Sequence, residues 1–463
     1  MFKKPMLLLL VTVIPIGIMA ADTAGTAKSP TQEVKEQPPA APAPPSLTLE
    51  QVVWESLSKN PAVQSALHTV EAQRAKVPQA GSLPDPTVSV GWAGNIEPFS
   101  VQTGDPSSYR GVTAMQMLPL FGKRGLRRDV AAKEADASQW DVEAVRRRIV
   151  AEIAAAFYDY WYYDKAIRTT KENRDLLNKL SQIAGARYQV GKGMQADVLR
   201  SQVEISMLLQ KLTMLEQQRA TAQARLNSLM SRSPEEPLPP AADIPNASPL
   251  NYSLEELYKL ARQNDPEYQR MQNMVERNQL AISLAQKDYL PDLSVGYMYQ
   301  QRPEMPDMHG FTFTVNIPLF YKTKQREEVR QAKEEELSTT KARDNRQNEL
   351  FFDLKQNYLA AKASDNLIKL YSQGVVPQSS LALESSMSSY QVGNVDFLTV
   401  VGNFTTVLNY ETDYYRELAN YQTALARMEA LTGANLTGAK LVPNATTSNQ
   451  PEQNQEQKNG SEK

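Results

Sequence analysis

"FTFTVNIPLFYK" runs from Phe311 to Lys322, and its alternation decides the fold. Phe311, Phe313, Val315 and Ile317 alternate with Thr312, Thr314 and Asn316. Residues two apart share one face of a strand, so one face is apolar and aromatic and the other small and uncharged. Pro318 ends the pattern, and the chain then turns to Glu, Lys, Arg, Gln and Ala, the composition of a long helix. Leu293, Val295, Tyr297 and Tyr299 alternate in the same way with Ser294, Gly296 and Met298, as do Val88, Val90 and Trp92 with Thr87, Ser89 and Gly91. Tyr109 to Met117 alternates less cleanly and reads as a further strand.

Outward from these strands the chain repeats itself. "LEQVVWESLSKNP" at Leu49 matches "LEELYKLARQNDP" at Leu254, "PTVSVG" at Pro86 matches "PDLSVG" at Pro291, and "PLFGK" at Pro119 matches "PLFYK" at Pro318. "YQVGKGMQADVL" at Tyr188 matches "YQVGNVDFLTVV" at Tyr390, and "ARLNSLMS" at Ala224 matches "ARMEALTG" at Ala426. The matching blocks keep one order, which marks a duplication of a helix-strand-strand-helix-helix unit. Leu49 to Gln79 reads as one helix, with Pro61 near its start and Pro78 at its end. Gly122 to Val190 is free of proline and predicts a helix of roughly 100 Å. Gly374 and Pro377 predict a kink in its counterpart. Helices this long need lateral partners along their whole length.

The predicted organisation is an export signal over 1–20, a Pro/Ala-rich linker over 21–46, and repeat 1 over 47–231. Strands at about 86–95 and 109–117 and a hairpin at about 122–231 lie in that repeat. A Pro-rich linker at 232–251 leads to repeat 2 over 252–433, with strands at about 291–300 and 310–318 and a hairpin at about 321–433. A disordered tail is expected over 434–463. The signal is read from Lys3, Lys4, the apolar run Met6 to Ile18 and Ala20 before Ala21.

Composition narrows the function. There is no Cys among 463 residues, which excludes disulfides, thiolate chemistry and a lipid on an N-terminal cysteine. His68 and His309 are the two histidines, too few for His-based triad or metal chemistry, and a formal charge of −2 gives no general attraction to nucleic acid. No cofactor is expected, and no enzymatic activity: no phosphate-cradling Gly loop or buried carboxylate pair stands out.

Each strand is about ten residues, enough to cross a bilayer when tilted. An apolar outer face over a small polar inner face is the wall pattern of a membrane barrel; a soluble half-buried sheet alternates in the same way. Four strands cannot close a barrel, and open edges are not tolerated in lipid. Several chains must then share one barrel: two copies would give a filled interior and three a lumen.

With these features the chain resembles the TolC-type outer-membrane efflux proteins, from Leu47 to about Gly433. "GVVPQSSLALESSMSSYQVGNVDFLTVV", from Gly374, is particularly similar to the metal-cation efflux branch. The resemblance implies a mainly α protein with a membrane β-barrel: a homotrimer with a 12-stranded barrel in the outer membrane, continued by a 12-helix periplasmic α-barrel. It implies a periplasmic adaptor and an inner-membrane proton-driven pump as partners, outer-membrane lipid around the barrel, and a conduit with heavy-metal cations as candidate cargo. The competing reading is a periplasmic structural or adaptor protein, with helical hairpins and a small soluble β domain.

The resemblance also implies that the two Val-Gly turns form the periplasmic gate, so Tyr188, Gly191, Asp197, Tyr390, Gly393 and Asp396 are its candidate residues. In the family an Asp of the first hairpin pairs with a Tyr and an Arg of the second; these positions fall on Asp197, Tyr390 and Val395, so the ionic lock is absent. A ring of acidic residues inside the tip matches Asp396, while a second acidic position falls on Thr399. The bland alternative is that Asp197 and Asp396 cap helices and that Gly191 and Gly393 end them. Met305, Met308 and His309 in the loop "RPEMPDMHG" offer soft donors for a cation such as Cu(I), or form an ordinary turn. Lys123, Arg124, Arg127, Lys322, Lys324 and Arg326 follow equivalent strand pairs, where they contact lipid phosphates or solvate a helix end. The aromatic run Phe157, Tyr158, Tyr160 and Trp161 reads as helix packing.

Overall fold

The computed structural model describes residues 46–94, 101–244 and 249–438. The expected export signal, almost all of the first linker and the tail from residue 439 lie outside the described residues.

Repeat 1 comprises α1 (Leu49–Lys59), α2 (Pro61–Gly81), β1 (Thr87–Ala93), β2 (Tyr109–Leu118), α3 (Lys123–Gln189) and α4 (Gln195–Leu229). Repeat 2 comprises α5 (Leu254–Asn264), α6 (Pro266–Lys287), β3 (Asp292–Gln301), β4 (Met308–Asn316), α7 (Gln325–Leu370), α8 (Val376–Val392) and α9 (Phe397–Thr432). A π-helical turn, Tyr371–Val375, joins α7 to α8 where Gly374 and Pro377 predict a kink. Pro377 cannot donate a hydrogen bond, and the widened turn absorbs that loss without ending the helical run.

Both repeats start with a reciprocal capping box, Thr48 with Gln51 and Ser253 with Glu256. The single helix expected over Leu49 to Gln79 is in fact two. Asn60 sits in an extended conformation before Pro61, caps α2, and so breaks the helix. Asp265 before Pro266 does the same in repeat 2. Pro78 is carried inside α2.

The strands form one antiparallel sheet in the order β1-β2-β3-β4. Its register aligns Val90 with Val112, Val112 with Tyr299, Ala114 with Tyr297, Tyr297 with Phe311 and Val295 with Phe313. Residues directly opposite share a face, so the alternating valines and aromatics of the four strands line one side. The other side carries Ser89, Thr113, Ser294, Thr312 and Thr314. The alternation of β2 is blurred because Arg110 and Gln116 fall on the apolar side and Met115 and Met117 on the polar side. The two repeats meet at β2 and β3, where a Cβ on Gly111 would lie 2.2 Å from the Tyr299 carbonyl oxygen. Only glycine allows that approach.

Among the described residues, α2 and α4 both pack along α3, and α6 and α9 both pack between α3 and α7. The short helices meet end to end at a seam. Asn60 Nδ2 donates to the Leu229 carbonyl at 3.0 Å, joining α4 to α2. Asn264, the last residue of α5, donates through Nδ2 to the Thr432 carbonyl at 2.9 Å, joining α9 to the end of α5. Buried Arg147 donates to Asn264 O at 2.9 Å and pairs with Glu143 at 2.8 Å. The main core lies at this level, with Tyr160, Leu226, Leu257, Leu354 and Met428 fully buried. Each such leucine contributes about 1.5–3 kcal/mol, more than a helix cap does. The aromatic run Phe157–Trp161 is part of this core, as packing predicts. Past Gly433 the chain stays packed: Leu436 is buried and Thr437 Oγ1 donates to Glu429 at 2.8 Å, so the expected boundary at 434 falls several residues early.

Candidate functional site

At the far end of the hairpins, the two Tyr-Gln-Val-Gly copies close their helices in the same way. Lys192 N–H donates to Arg187 O at 2.8 Å and Gly191 N–H to Tyr188 O at 3.0 Å. Asn394 N–H donates to Ser389 O at 2.9 Å and Gly393 N–H to Tyr390 O at 3.1 Å. Both are Schellman closures, which need a residue in the left-handed region. Gly191 (φ 72°) and Gly393 (φ 88°) supply it.

The side chains then diverge. Tyr188 is 47% exposed, whereas Tyr390 is 3% exposed in a second core with Leu180, Leu383, Phe397 and Phe404. The Tyr390 ring meets Phe397 edge-on at 5.4 Å. Its hydroxyl donates to Asp197 Oδ2 at 3.1 Å, so the two hairpins are joined within one chain. Burial and the Asp197 charge push the Tyr390 phenol up to about 12, so it stays a neutral donor at any physiological pH.

Asp396 and Asp197 do not play the same part. Asp396 is the N-cap of α9 and accepts from Thr399 N–H at 2.9 Å, and these Thr399 hydrogen bonds hold its carboxyl below the usual range. Asp197 lies in the first turn of α4, but the cap position is Met194, which makes no side-chain cap. The Asp197 carboxylate instead takes the Tyr390 hydroxyl. Capping therefore describes Asp396 and fails for Asp197.

Val395 brings no charge to this contact. The cation comes from Arg187, in the last turn of α3. Arg187 Nη1 donates to the carbonyls of Tyr390 and, at 2.8 Å, Gln391, while Nη2 donates to Lys192 O at 3.0 Å. Its guanidinium lies 4.9 Å from the centre of the Tyr390 ring. Sequence reasoning misses Arg187. A basic residue in a final helical turn is a legible signal, but its target is the end of a different helix.

The basic collar departs from expectation at its first member. Lys123 is 2% exposed, and its Nζ is held by Asp292 at 3.0 Å, Asp288 at 3.5 Å and the Leu290 carbonyl at 2.9 Å. Those partners come from repeat 2, which buries the amine and removes it from any lipid surface. Arg124 is half-buried and donates to Gly81 O at 3.0 Å, closing α2. Arg127 is half-buried, Lys322 and Lys324 are exposed, and Arg326 is exposed beside Glu327.

In the connecting loop the three candidate metal ligands do not converge. Met308 and His309 are consecutive in β4 and so project from opposite faces. His309 Nδ1 is hydrogen-bonded to the Tyr297 hydroxyl at 2.7 Å on the aromatic face, and Met305 lies in the turn, its N–H on Arg302 O. The loop is tied by Arg302 Nη2 to Pro306 O at 2.7 Å and by Tyr299 to Asp307 at 2.7 Å.

A family described as outer membrane efflux protein matches residues 52–232 and 257–434, one stretch in each repeat. Among curated proteins, Protein CyaE of Bordetella pertussis is 24% identical over 339 residues, which span 69% of this chain and 71% of CyaE. Among solved structures, CusC superposes with a TM-score of 0.72 at 15% identity, covering 86% of this chain and 99% of CusC. The outer membrane protein VceC from Vibrio cholerae superposes with a TM-score of 0.70 at 15% identity, covering 84% of this chain and 96% of VceC. At such identities the likeness of the solved structures is one of fold.

Proposed function

The chain belongs to the outer membrane efflux protein family, and from that premise we propose that it is the outer-membrane conduit of a tripartite efflux system. Three copies of the four-stranded sheet close a twelve-stranded barrel, and their hairpins continue it as a twelve-helix tube in the periplasm. The register of the sheet carries this reading. It gathers Val90 (83% exposed), Phe311 (73%) and Phe313 (70%) onto one face. An apolar face of that kind is a liability in water and a wall in lipid. β1 and β4 each pair on one side within the chain, and hydrocarbon does not tolerate an unpaired edge. Neighbouring copies satisfy both edges, and twelve strands leave a lumen where eight would be filled.

Export begins with the signal at Met1–Ala20. Arg127, Lys322 and Lys324 meet lipid phosphates below the inner leaflet. The hairpin tips face a periplasmic adaptor and a proton-driven inner-membrane pump. The cargo is heavy-metal cations; the likeness of Gly374–Val401 to the metal-cation branch supports this, as does the exposed carboxylate of Asp396. Repeated around a threefold axis, that carboxylate makes a ring that concentrates negative potential and favours cations.

The test is purification with detergent followed by recording in planar lipid bilayers. The expected result is a trimer with cation-selective conductance. A monomer that stays soluble without detergent and conducts nothing would favour a periplasmic hairpin protein and overturn the conduit. If Asp396→Ala leaves cation selectivity and divalent-cation block unchanged, the ring is wrong.

A further inference from the structure

The polar face of the sheet carries methionines in an order that the sequence conceals. Pairing sets Met117 beside Ser294, Met115 beside Gly296, Met298 beside Thr113 and Gly310, and Met308 beside Gln300. These are four successive rungs of one face, and each rung holds one methionine. Rungs lie two residues apart, about 7 Å along a strand. The series steps from β2 to β3 to β4 as it climbs from the helical end of the sheet to the loop before Met308.

Glycines make room for it. A Cβ on Gly296 would lie 3.9 Å from the Met115 methyl carbon, and one on Gly310 would lie 3.1 Å from that of Met298. Each of these side chains therefore leans across a glycine of the next strand, in the direction of the climb. Buried Gln300 donates through Nε2 to Met298 Sδ at 3.2 Å, which orients the thioether and leaves its second lone pair. Met115, Met117 and Met308 are exposed. Methionine ordinarily fills gaps in apolar cores, but the valines and aromatics of this sheet are on the other side. Packing gives no reason for a methionine on every rung.

The donors select the ligand. Thioethers are soft and neutral, and they suit Cu(I) or Ag(I). Hard cations need oxygen ligands, chiefly carboxylates. Among the paired residues of this face the carboxylate is Asp292, and Lys123 holds it at 3.0 Å.

We propose that Met117, Met115, Met298 and Met308 form a thioether track that binds soft monovalent cations, Cu(I) or Ag(I), and hands them from rung to rung along the barrel wall. The inference rests on the conduit reading, which turns this face to the lumen, and it narrows the cargo to soft monovalent ions. Several weak sites in series let an ion enter and also leave.

The experiment uses the full chain purified in detergent, in chloride-free buffer, with silver nitrate as the probe. Oxidation of each methionine by dilute peroxide is followed by mass spectrometry. At silver about ten times its Kd, mass action leaves about one site in eleven free, so oxidation of the track methionines should slow about tenfold. Met207 and Met214, exposed on α4, are the internal comparison and should react at unchanged rates. Equal protection of both sets, or of neither, overturns the track, and so does equal protection by calcium nitrate. In calorimetric titration, Met115→Leu, Met117→Leu, Met298→Leu and Met308→Leu combined should bind silver about tenfold more weakly, with volume nearly conserved. Unchanged affinity in that folded variant overturns the track; if it does not fold, the wild-type footprint decides. Conductance in bilayers without the footprint overturns the track alone. The footprint without conductance overturns the conduit and leaves the binding track standing.

Discussion

The two copies of Tyr-Gln-Val-Gly share a backbone and differ in surroundings. Both end a helix with a left-handed glycine and the same pair of closing hydrogen bonds. Yet Tyr188 stands in solvent while Tyr390 is enclosed by Arg187, Asp197 and Phe397. The tetrapeptide specifies how each helix stops. The residues around it specify what the stop is used for. In the first copy Arg187 precedes the tyrosine; in the second, Ser389 does. The first hairpin therefore supplies the cation and the carboxylate, and the second supplies the ring and the carbonyls.

The largest expected contrast is between Tyr390→Ala and Tyr188→Ala. Removing the buried ring should cost about 3–5 kcal/mol of stability at the tip, whereas the exposed one should cost within about 0.5 kcal/mol. Amide exchange across Leu177–Ala184 and Phe397–Leu408 measures both, and equal effects would erase the distinction. Next is Asp197→Ala, which leaves the buried Tyr390 hydroxyl without its acceptor and should cost about 1–3 kcal/mol. In the double variant Asp197→Ala with Tyr390→Phe, much of that loss should be recovered, since no orphaned hydroxyl remains. Then come the glycines. Gly191→Ala forces an alanine into the left-handed region at about 1–2 kcal/mol; Gly393→Ala should cost more because it also meets Arg187. The same exchange measurement ranks the two.

The smallest effect is expected for the Asp396 cap, and it has a sign in pH. The carboxyl is held below its usual range in the folded chain, so its contribution is present above the ordinary carboxylate range. It is lost as pH falls through the lowered folded value. Faster exchange of the Thr399 amide at acid pH in the wild type, absent in Asp396→Asn, would bear this out.

The strands and the duplication are legible because a period of two and an ordered set of repeated blocks are properties of the chain alone. The break at Asn60–Pro61 is passed over by the expectation of one helix, although an asparagine before proline is stronger punctuation than the helical spacing on either side of it. Lys123 is not legible. Beside Arg124 and Arg127 it spells a basic surface, and its burial depends on Asp288 and Asp292, which only the pairing of β2 with β3 brings near. Arg187 is hidden for the same reason, since its partners on α8 lie in the other repeat. Met305, Met308 and His309 mislead in the opposite sense: close in sequence, they are separated by the strand that carries two of them.

The seam where Asn60 meets the end of α4 and Asn264 meets the end of α9 has a mechanical consequence. α4 and α9 end at that level, and hydrogen bonds, not a continuous helix, join them to the segments they meet. Among the described residues, only α3 and the run from α7 to α8 pass that level without interruption. They are the tendons of the protomer: theirs is the unbroken helical backbone between the tips and the sheet. The run from α7 to α8 carries a widened π-helical turn and α3 does not, so the two tendons of each protomer are built unequally.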